Sequence, residues 1–234
     1  MKLDLCRVEI ESVGGNPVDL ATAVIQQLPA IDGALPIRDI ALALDIIEIK
    51  TTTLRSIEAC LHTDALKSEG QIVLSASSPP RRQRYSIAHE LGHFLNERHT
   101  PIEPGGFFCN SDDMQTLRGA DRHRQQERKA NIFAIELLTP RVMLSRHMKR
   151  APDLGRIVEL SDRFDVSREA AARRYVDLHH EPLAIVFSEN GWVRYVQKGG
   201  GFPSTSVWTD DQLGDRLEQP KNQRSMTDLV EVDP

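Results

Sequence analysis

Cysteine is scarce in this 234-residue sequence: Cys6, Cys60 and Cys109 are the whole supply, far apart and without a C-x-x-C pair. That pattern argues against a disulfide framework and against a cysteine zinc site, and leaves reduced thiols as the expectation. Long hydrophobic runs are missing too. The richest stretch, Ile40-Ala-Leu-Ala-Leu-Asp45-Ile-Ile, is broken by an aspartate and falls short of the roughly 18 apolar residues of a membrane span. The first residues, Met1 to Cys6, lack the apolar segment of a signal peptide, so a cytoplasmic chain with no membrane role is expected. An excess of basic residues is likewise absent. Net charge is −5, and residues 209–234 hold seven acidic against three basic side chains. The near-neutral remainder lacks the electrostatic footprint with which dedicated nucleic-acid binders neutralise phosphates. No internal repeat is visible.

What is present suits one large domain, or a catalytic domain with a small appendage, and a hydrophobic fraction of 40% supplies a sizeable core. Residues 17–28 and 36–45 carry apolar residues at three- and four-residue steps behind a proline, which predicts short helices. Three β-like runs follow, Ile46 to Thr51, Arg55 to His62 and Gln71 to Ala76. Ser78-Pro79-Pro80 reads as a helix start, with Ser78 as N-cap and the helix running to about Asn96. Residues 99–120 read as a long loop. A second long helix is expected over Arg122 to Leu138, stopping at Thr139-Pro140, which would open a further helix through Arg150. Residues 154–178 read as two helices around a tight turn at Phe164-Asp165-Val166, with Ser167 capping the second. Glu189-Asn190-Gly191 between apolar runs predicts a β-hairpin, and the acidic end beyond Gly199 predicts partial disorder. The class is α+β, with expected boundaries at 1–150, 151–198 and 199–234.

The chemistry concentrates in His89-Glu90-Leu91-Gly92-His93, an HExxH sequence on a predicted helix whose Ile87, Leu91, Phe94 and Leu95 form the apolar face. Spacing i, i+4 stacks two imidazoles one turn apart, so both can reach one zinc ion while Glu90 serves as general base toward its water. Chance would supply only about 0.02 such matches in a chain of this composition. A catalytic zinc needs a third protein ligand. Glu127 meets that need, and Asn131, one turn further on the same face, could orient a zinc-bound histidine; the competing reading makes Glu127 a solvated neighbour of Arg128 and Lys129. Tyr85, His99 and His123 are candidates to stabilise an oxyanion, with packing duty the alternative for each. Cys109 reads as a small buried hydrophobe. Gln71 to Ala76 is either a peptide-pairing strand or an internal core strand.

The runs Arg84-Tyr-Ser-Ile-Ala-His89-Glu-Leu-Gly-His93 and Glu127-Arg-Lys-Ala-Asn-Ile-Phe-Ala-Ile-Glu-Leu-Leu-Thr-Pro140, with Phe108-Cys109 in the loop between them, closely resemble the ImmA/IrrE metallo-endopeptidases over residues 35–198. The resemblance implies a minimal zincin-like peptidase fold, a zinc ion held by His89, His93 and Glu127, and Glu90 as the catalytic residue; Tyr85 remains a catalytic candidate only through its position one turn before His89. It implies a protein substrate of the helix-turn-helix repressor type, whose cleavage relieves repression in a bacterial stress-response or mobile-element circuit. Thr139 stands where that family often has methionine, and no repressor-type domain precedes the peptidase, so the expected partner is a separate chain. Residues 154–178 hold five basic and five acidic side chains, which argues against direct DNA binding. The alternative is a non-proteolytic regulator or toxin–antitoxin component acting by protein or DNA binding.

Overall fold

A computed structural model describes residues 3–55, 57–101, 105–109, 122–148, 151–190 and 192–203. The expectation of disorder toward the C-terminus falls on residues 204–234, outside the described residues. The chain divides into two compact units, Met1–Met143 with Phe164–Val166, and Leu144–Arg163 with Ser167–Pro234.

In the first unit, α1 (Arg7–Glu11) and α2 (Pro17–Gln27) precede α3 (Ile37–Ala43). Asn16 caps α2, its side chain accepting from the Val18 amide, and Pro17 sits at the first turn, where a missing N–H costs nothing. The strands β1 (Ile46–Thr52), β2 (Ala59–Thr63) and β3 (Gly70–Ser75) follow, then α4 (Pro80–Leu95), β4 (Gly106–Cys109) and α5 (Arg122–Leu138). The sheet order is β1-β3-β2-β4, with β1 and β3 parallel and the other pairs antiparallel. Alternation decides which face is buried. Leu61, Ile72, Leu74 and Phe107 are buried, whereas His62, Gln71 and Phe108 are exposed. Helix α4 packs against β2 and β3, and α5 packs in turn against α4 and α2. The result is an α+β, zincin-like arrangement, with no helix among the described residues long and apolar enough to cross a membrane.

Several local expectations change. The segment Gln71 to Ala76 lies within or next to β3, which is hydrogen-bonded on both sides, so the core-strand alternative holds and β1 and β4 are the edges. Ser78 does not cap α4; the helix begins at Pro80, and Gln83 instead donates to the carbonyls of Ser75 and Ser78 at 3.3 and 3.0 Å. Thr139 turns back onto α5, donating its hydroxyl to the Ile135 carbonyl, and the helix through Arg150 shrinks to α6 (Arg141–Leu144) and a 3₁₀ turn, Ser145–His147. The long loop contains β4, which opens at Gly106 with φ of 157°, where a Cβ would stand 2.0 Å from the Leu61 carbonyl oxygen. Only glycine fits there.

Asp165, in the turn expected at 164–166, adopts φ of 50°. An aspartate tolerates that left-handed conformation, and its carboxylate pairs with Arg81 and Arg84 at 3.2 and 3.1 Å. The second unit carries α7 (Leu154–Phe164, apart from its last residue), α8 (Arg168–Leu178) and the hairpin β5 (Ala184–Glu189) and β6 (Trp192–Lys198). Ser167 caps α8 by accepting from the Ala170 amide at 3.1 Å, as its sequence position suggests.

Candidate metal centre

Helix α4 presents its apolar stripe, Ile87, Leu91, Phe94 and Leu95, to the core, with each of these at most 1% exposed. His89, Glu90 and His93 on the same helix are also completely buried. Burial of two imidazoles and a carboxylate is costly unless they are paired or bind a metal. The partner surface is α5, which places Glu127 and Asn131 opposite them because residues four apart share a helix face. Gly92 permits the close approach: a Cβ there would meet Phe133 at 3.0 Å and the Ala130 backbone at 3.3 Å.

The three expected ligands converge. His89 Nε2 lies 3.1 Å from Glu127 Oε2, His93 Nε2 lies 3.2 Å from Glu127 Oε1, and the two Nε2 atoms are 3.1 Å apart. Tetrahedral zinc with bonds of about 2.0–2.1 Å has ligand–ligand edges of about 3.3–3.4 Å. The triangle is thus close to one face of such a coordination sphere, and two nitrogen donors with one carboxylate suit zinc chemistry. Among the described residues these three form the one group of metal-ligating side chains close enough to hold an ion. Glu97 is 65% exposed beside Arg98, and Glu136 lies outside the cluster; Glu103 is outside the described residues.

Protonation fits the donor role. Burial pushes the His93 pKa down to about 4, so the ring is neutral near pH 7. Burial would raise Glu127, but His93 and the hydrogen bonds from both histidines outweigh it and hold the carboxylate far below its usual range. Burial works against His89 as well, yet its hydrogen bond to Glu127 and the charges of Glu90 and Glu127 raise it overall. In the metal-free cluster, then, Glu127 is ionised, His93 is neutral and the shift of His89 favours its protonated form.

Asn131 accounts for the far side of His89, its Oδ1 accepting from Nδ1 at 2.9 Å. With Nδ1 so engaged, a metal-binding His89 would present the Nε2 lone pair toward the other two side chains. Tyr85 donates its hydroxyl to the same Asn131 oxygen at 2.7 Å. His123, one turn before Glu127, lies 3.6 Å from Glu127 Oε1 and is one-third exposed. The side chain of Cys109 lies outside the described residues; its backbone pairs with Ala59 in β4.

Lys67 escaped the sequence reading of the site, and His99, expected there only as an oxyanion candidate or a packing residue, takes a different place. Lys67 is 8% exposed and donates through Nζ to the carbonyls of His93 and Asn96, each at 2.7 Å. A lysine in a polar turn gives no sequence signal of that role. His99 is 2% exposed, and its Nδ1 lies 3.2 Å from Nδ1 of His93. Its signal was available, since His89, His93 and His99 follow the H-E-x-x-H-x₅-H spacing at which other zincins place a third histidine ligand. Here it is Glu127, not His99, that lies with His89 and His93 in the group that could hold an ion.

A buried HExxH helix, a facing glutamate and a small mixed sheet define a zincin-like metal-site protein. A sequence profile described as the IrrE N-terminal-like domain, peptidase M78, matches residues 49–175, more than half of the chain. The chain belongs to this family. It is also 25% identical over 149 residues to the radiation response metalloprotease IrrE of Deinococcus radiodurans, a match covering 63% of this chain and 40% of that protein. The chain therefore spans well under half of that relative's length.

Proposed function

We propose that this chain is a zinc-dependent endopeptidase of the HExxH type, acting in the cytoplasm on a separate helix-turn-helix repressor and so relieving repression. The observation that carries the reading is the convergence of His89, His93 and Glu127 onto mutual distances of 3.1–3.2 Å with Glu90 buried on the intervening turn. His89 Nε2, His93 Nε2 and Glu127 would hold the ion. Zinc, when bound, supplies Lewis acidity toward a carbonyl and makes water a competent nucleophile near pH 7.

The residues of the chain divide the remaining work. Glu90 takes the proton of the attacking water on a carboxylate oxygen and returns it to the nitrogen of the leaving amine. Asn131 keeps His89 in the tautomer that points Nε2 at the cluster. Tyr85, bonded to Asn131, is a positioning residue through that contact. No serine or cysteine nucleophile is needed. Two supports for the substrate differ in kind: the family membership supports a protein substrate, and the relative's designation as a radiation response metalloprotease supports a stress-response setting.

The DNA-binding alternative is disfavoured by how the second unit uses its arginines. Arg173 pairs with Glu169 at 3.0 Å and lies over the Tyr195 ring, and Arg174 is only 6% exposed. Arg174 is thus closed to phosphate, Arg173 is already engaged by an anion and a ring, and the charge balance of residues 154–178 is zero.

The test is incubation of the zinc-loaded chain with helix-turn-helix repressors, beginning with any encoded beside it. Glu90→Gln should keep zinc and fold while cleavage falls by about 10²-fold or more. Cleavage that persists both in Glu90→Gln and with a chelator would overturn the mechanism. A chelator-sensitive activity that spares every repressor would overturn only the substrate assignment.

A further inference from the structure

Behind His93, on the side away from Glu127, a second buried imidazole is held in place by its own set of contacts. His99 follows the end of α4, and its amide donates to the Asn96 carbonyl at 2.9 Å. The same carbonyl accepts from Lys67 Nζ at 2.7 Å, while Lys67 also binds the His93 carbonyl at 2.7 Å. The Asn96 side chain donates to the Gly15 carbonyl at 3.1 Å and accepts from the Arg98 amide at 3.1 Å. The turn that delivers His99 is fixed from β2–β3, from the α1–α2 connection and from α4 itself. The ring of His93 is also covered by Phe107, with centroids 4.5 Å apart. His93 is completely buried between these rings.

We propose that His99 is a positioning residue for the metal site: it accepts the Nδ1–H of His93 and thereby keeps the Nε2 lone pair of His93 aimed at the metal. The inference rests on the metallopeptidase reading above. Its geometry mirrors the other ligand, where Asn131 accepts from His89 Nδ1 at 2.9 Å, so each ligating histidine has a buried acceptor behind it. The tautomers follow by counting protons. A ligating Nε2 must be bare, so the His93 proton sits on Nδ1 and is donated across the 3.2 Å contact; His99 then carries its own proton on Nε2. That His99 Nε2 is buried without a hydrogen-bond partner. Such a group calls for an explanation in a folded protein, and service as the acceptor for His93 provides one.

The experiment measures zinc affinity by chelator competition on the full chain, with thermal unfolding of the metal-free form alongside. His99→Leu, which removes the acceptor but keeps an apolar bulk, should weaken zinc binding about 10- to 100-fold, the loss typical for partners behind a ligand. His99→Asn places an amide oxygen near the position of Nδ1 and should stay within a few-fold of wild type. A purely structural role would instead track unfolding temperature and would not distinguish the two variants by their acceptor. Should His99→Leu fail to fold, the zinc-loaded wild type still decides: nitrogen NMR should show His93 protonated at Nδ1 with a coupling through the hydrogen bond to His99 Nδ1. Zinc affinity unchanged in folded His99→Leu, or His93 protonated at Nε2 in the loaded chain, overturns the proposal while leaving the metal site standing. Zinc binding that ignores His89→Ala and His93→Ala brings down the metallopeptidase reading and this role together.

Discussion

Substituting Gly92 by alanine sets two well-understood effects against each other inside the HExxH motif. Alanine in a helix interior is favoured over glycine by about 1 kcal/mol. Against that gain, the new methyl would stand 3.0 Å from Phe133 Cδ1, 3.2 Å from its Cβ and 3.3 Å from the Ala130 Cα. Phe133 is 1% exposed and Ala130 fully buried, so neither can swing into solvent; one of the contacts is backbone and can yield only if α5 moves. Forcing a methylene into a packed core costs about 1–3 kcal/mol, and the tightness here argues for the upper half of that range. The net expectation is a loss of about 1–2 kcal/mol, or a fall of about 2–8 °C in the unfolding temperature of the metal-free chain. Because Glu127 lies less than one turn from Ala130 on α5, a retreat of α5 also draws the third ligand away, and zinc affinity should drop about tenfold. Calorimetry of the metal-free chain and chelator competition read the two effects separately. A Gly92→Ala chain that melts higher than wild type and binds zinc equally well would refute the reasoning, since it would mean that α5 gives way without cost.

Three further predictions concern the same unit. Glu127→Ala should abolish tight zinc binding while Glu136→Ala leaves it within a few-fold, as measured by elemental analysis after dialysis; the opposite ranking removes Glu127 from the site. Alkylation near pH 8 should modify exposed Cys6 and spare Cys60, which is 4% exposed and whose thiol is pushed up to about 11 by burial, with the charge of Glu90 adding to it; peptide mass spectrometry reads this, and rapid labelling of Cys60 in the folded chain would contradict it. The same raised pKa fixes a sign for stability against pH. Cys60 contributes stability that is full below about 9, its value in the unfolded chain, and lost as pH rises through about 11, so Cys60→Ala should flatten that part of the denaturation profile, and an unchanged slope would show that the thiol is not responsible.

The cluster of His89, His93 and Glu127 could be anticipated from the sequence because both halves of it are written in helical periodicity. His89 and His93 need only an α-helix to stack, and Glu127 and Asn131 need only a second one to share a face; α4 and α5 both formed, with α5 running over Arg122–Leu138 as expected. What escaped was decided at longer range. Strand β4 is four residues set among glycines and prolines, and it exists because β2 offers an open edge to pair with. That β3 is an internal strand likewise follows from which neighbours reach it, not from its own alternation. Local rules also failed where two of them competed: Ser78 has good capping chemistry, but the consecutive prolines shift the first turn to Pro80, and Gln83 takes over the capping of the preceding carbonyls.

The run from His89 to His99 shows why spacing alone does not assign a ligand. Three histidines at 89, 93 and 99 are compatible with an all-histidine site, and the choice between His99 and Glu127 turns on the path of the chain after α4. Asn96 hydrogen-bonds the Gly15 carbonyl, and Lys67 pins the carbonyls of His93 and Asn96. Those contacts end the helix at Leu95 and carry His99 behind His93 rather than around to the open side. The vacated corner is reached by Glu127 only because Gly92 lets α5 lie close. An anionic neighbour has a chemical consequence, since the charge of Glu127 helps raise His89, while burial still keeps His93 neutral. Metal binding would therefore have to displace the proton favoured on His89, which would link affinity to pH.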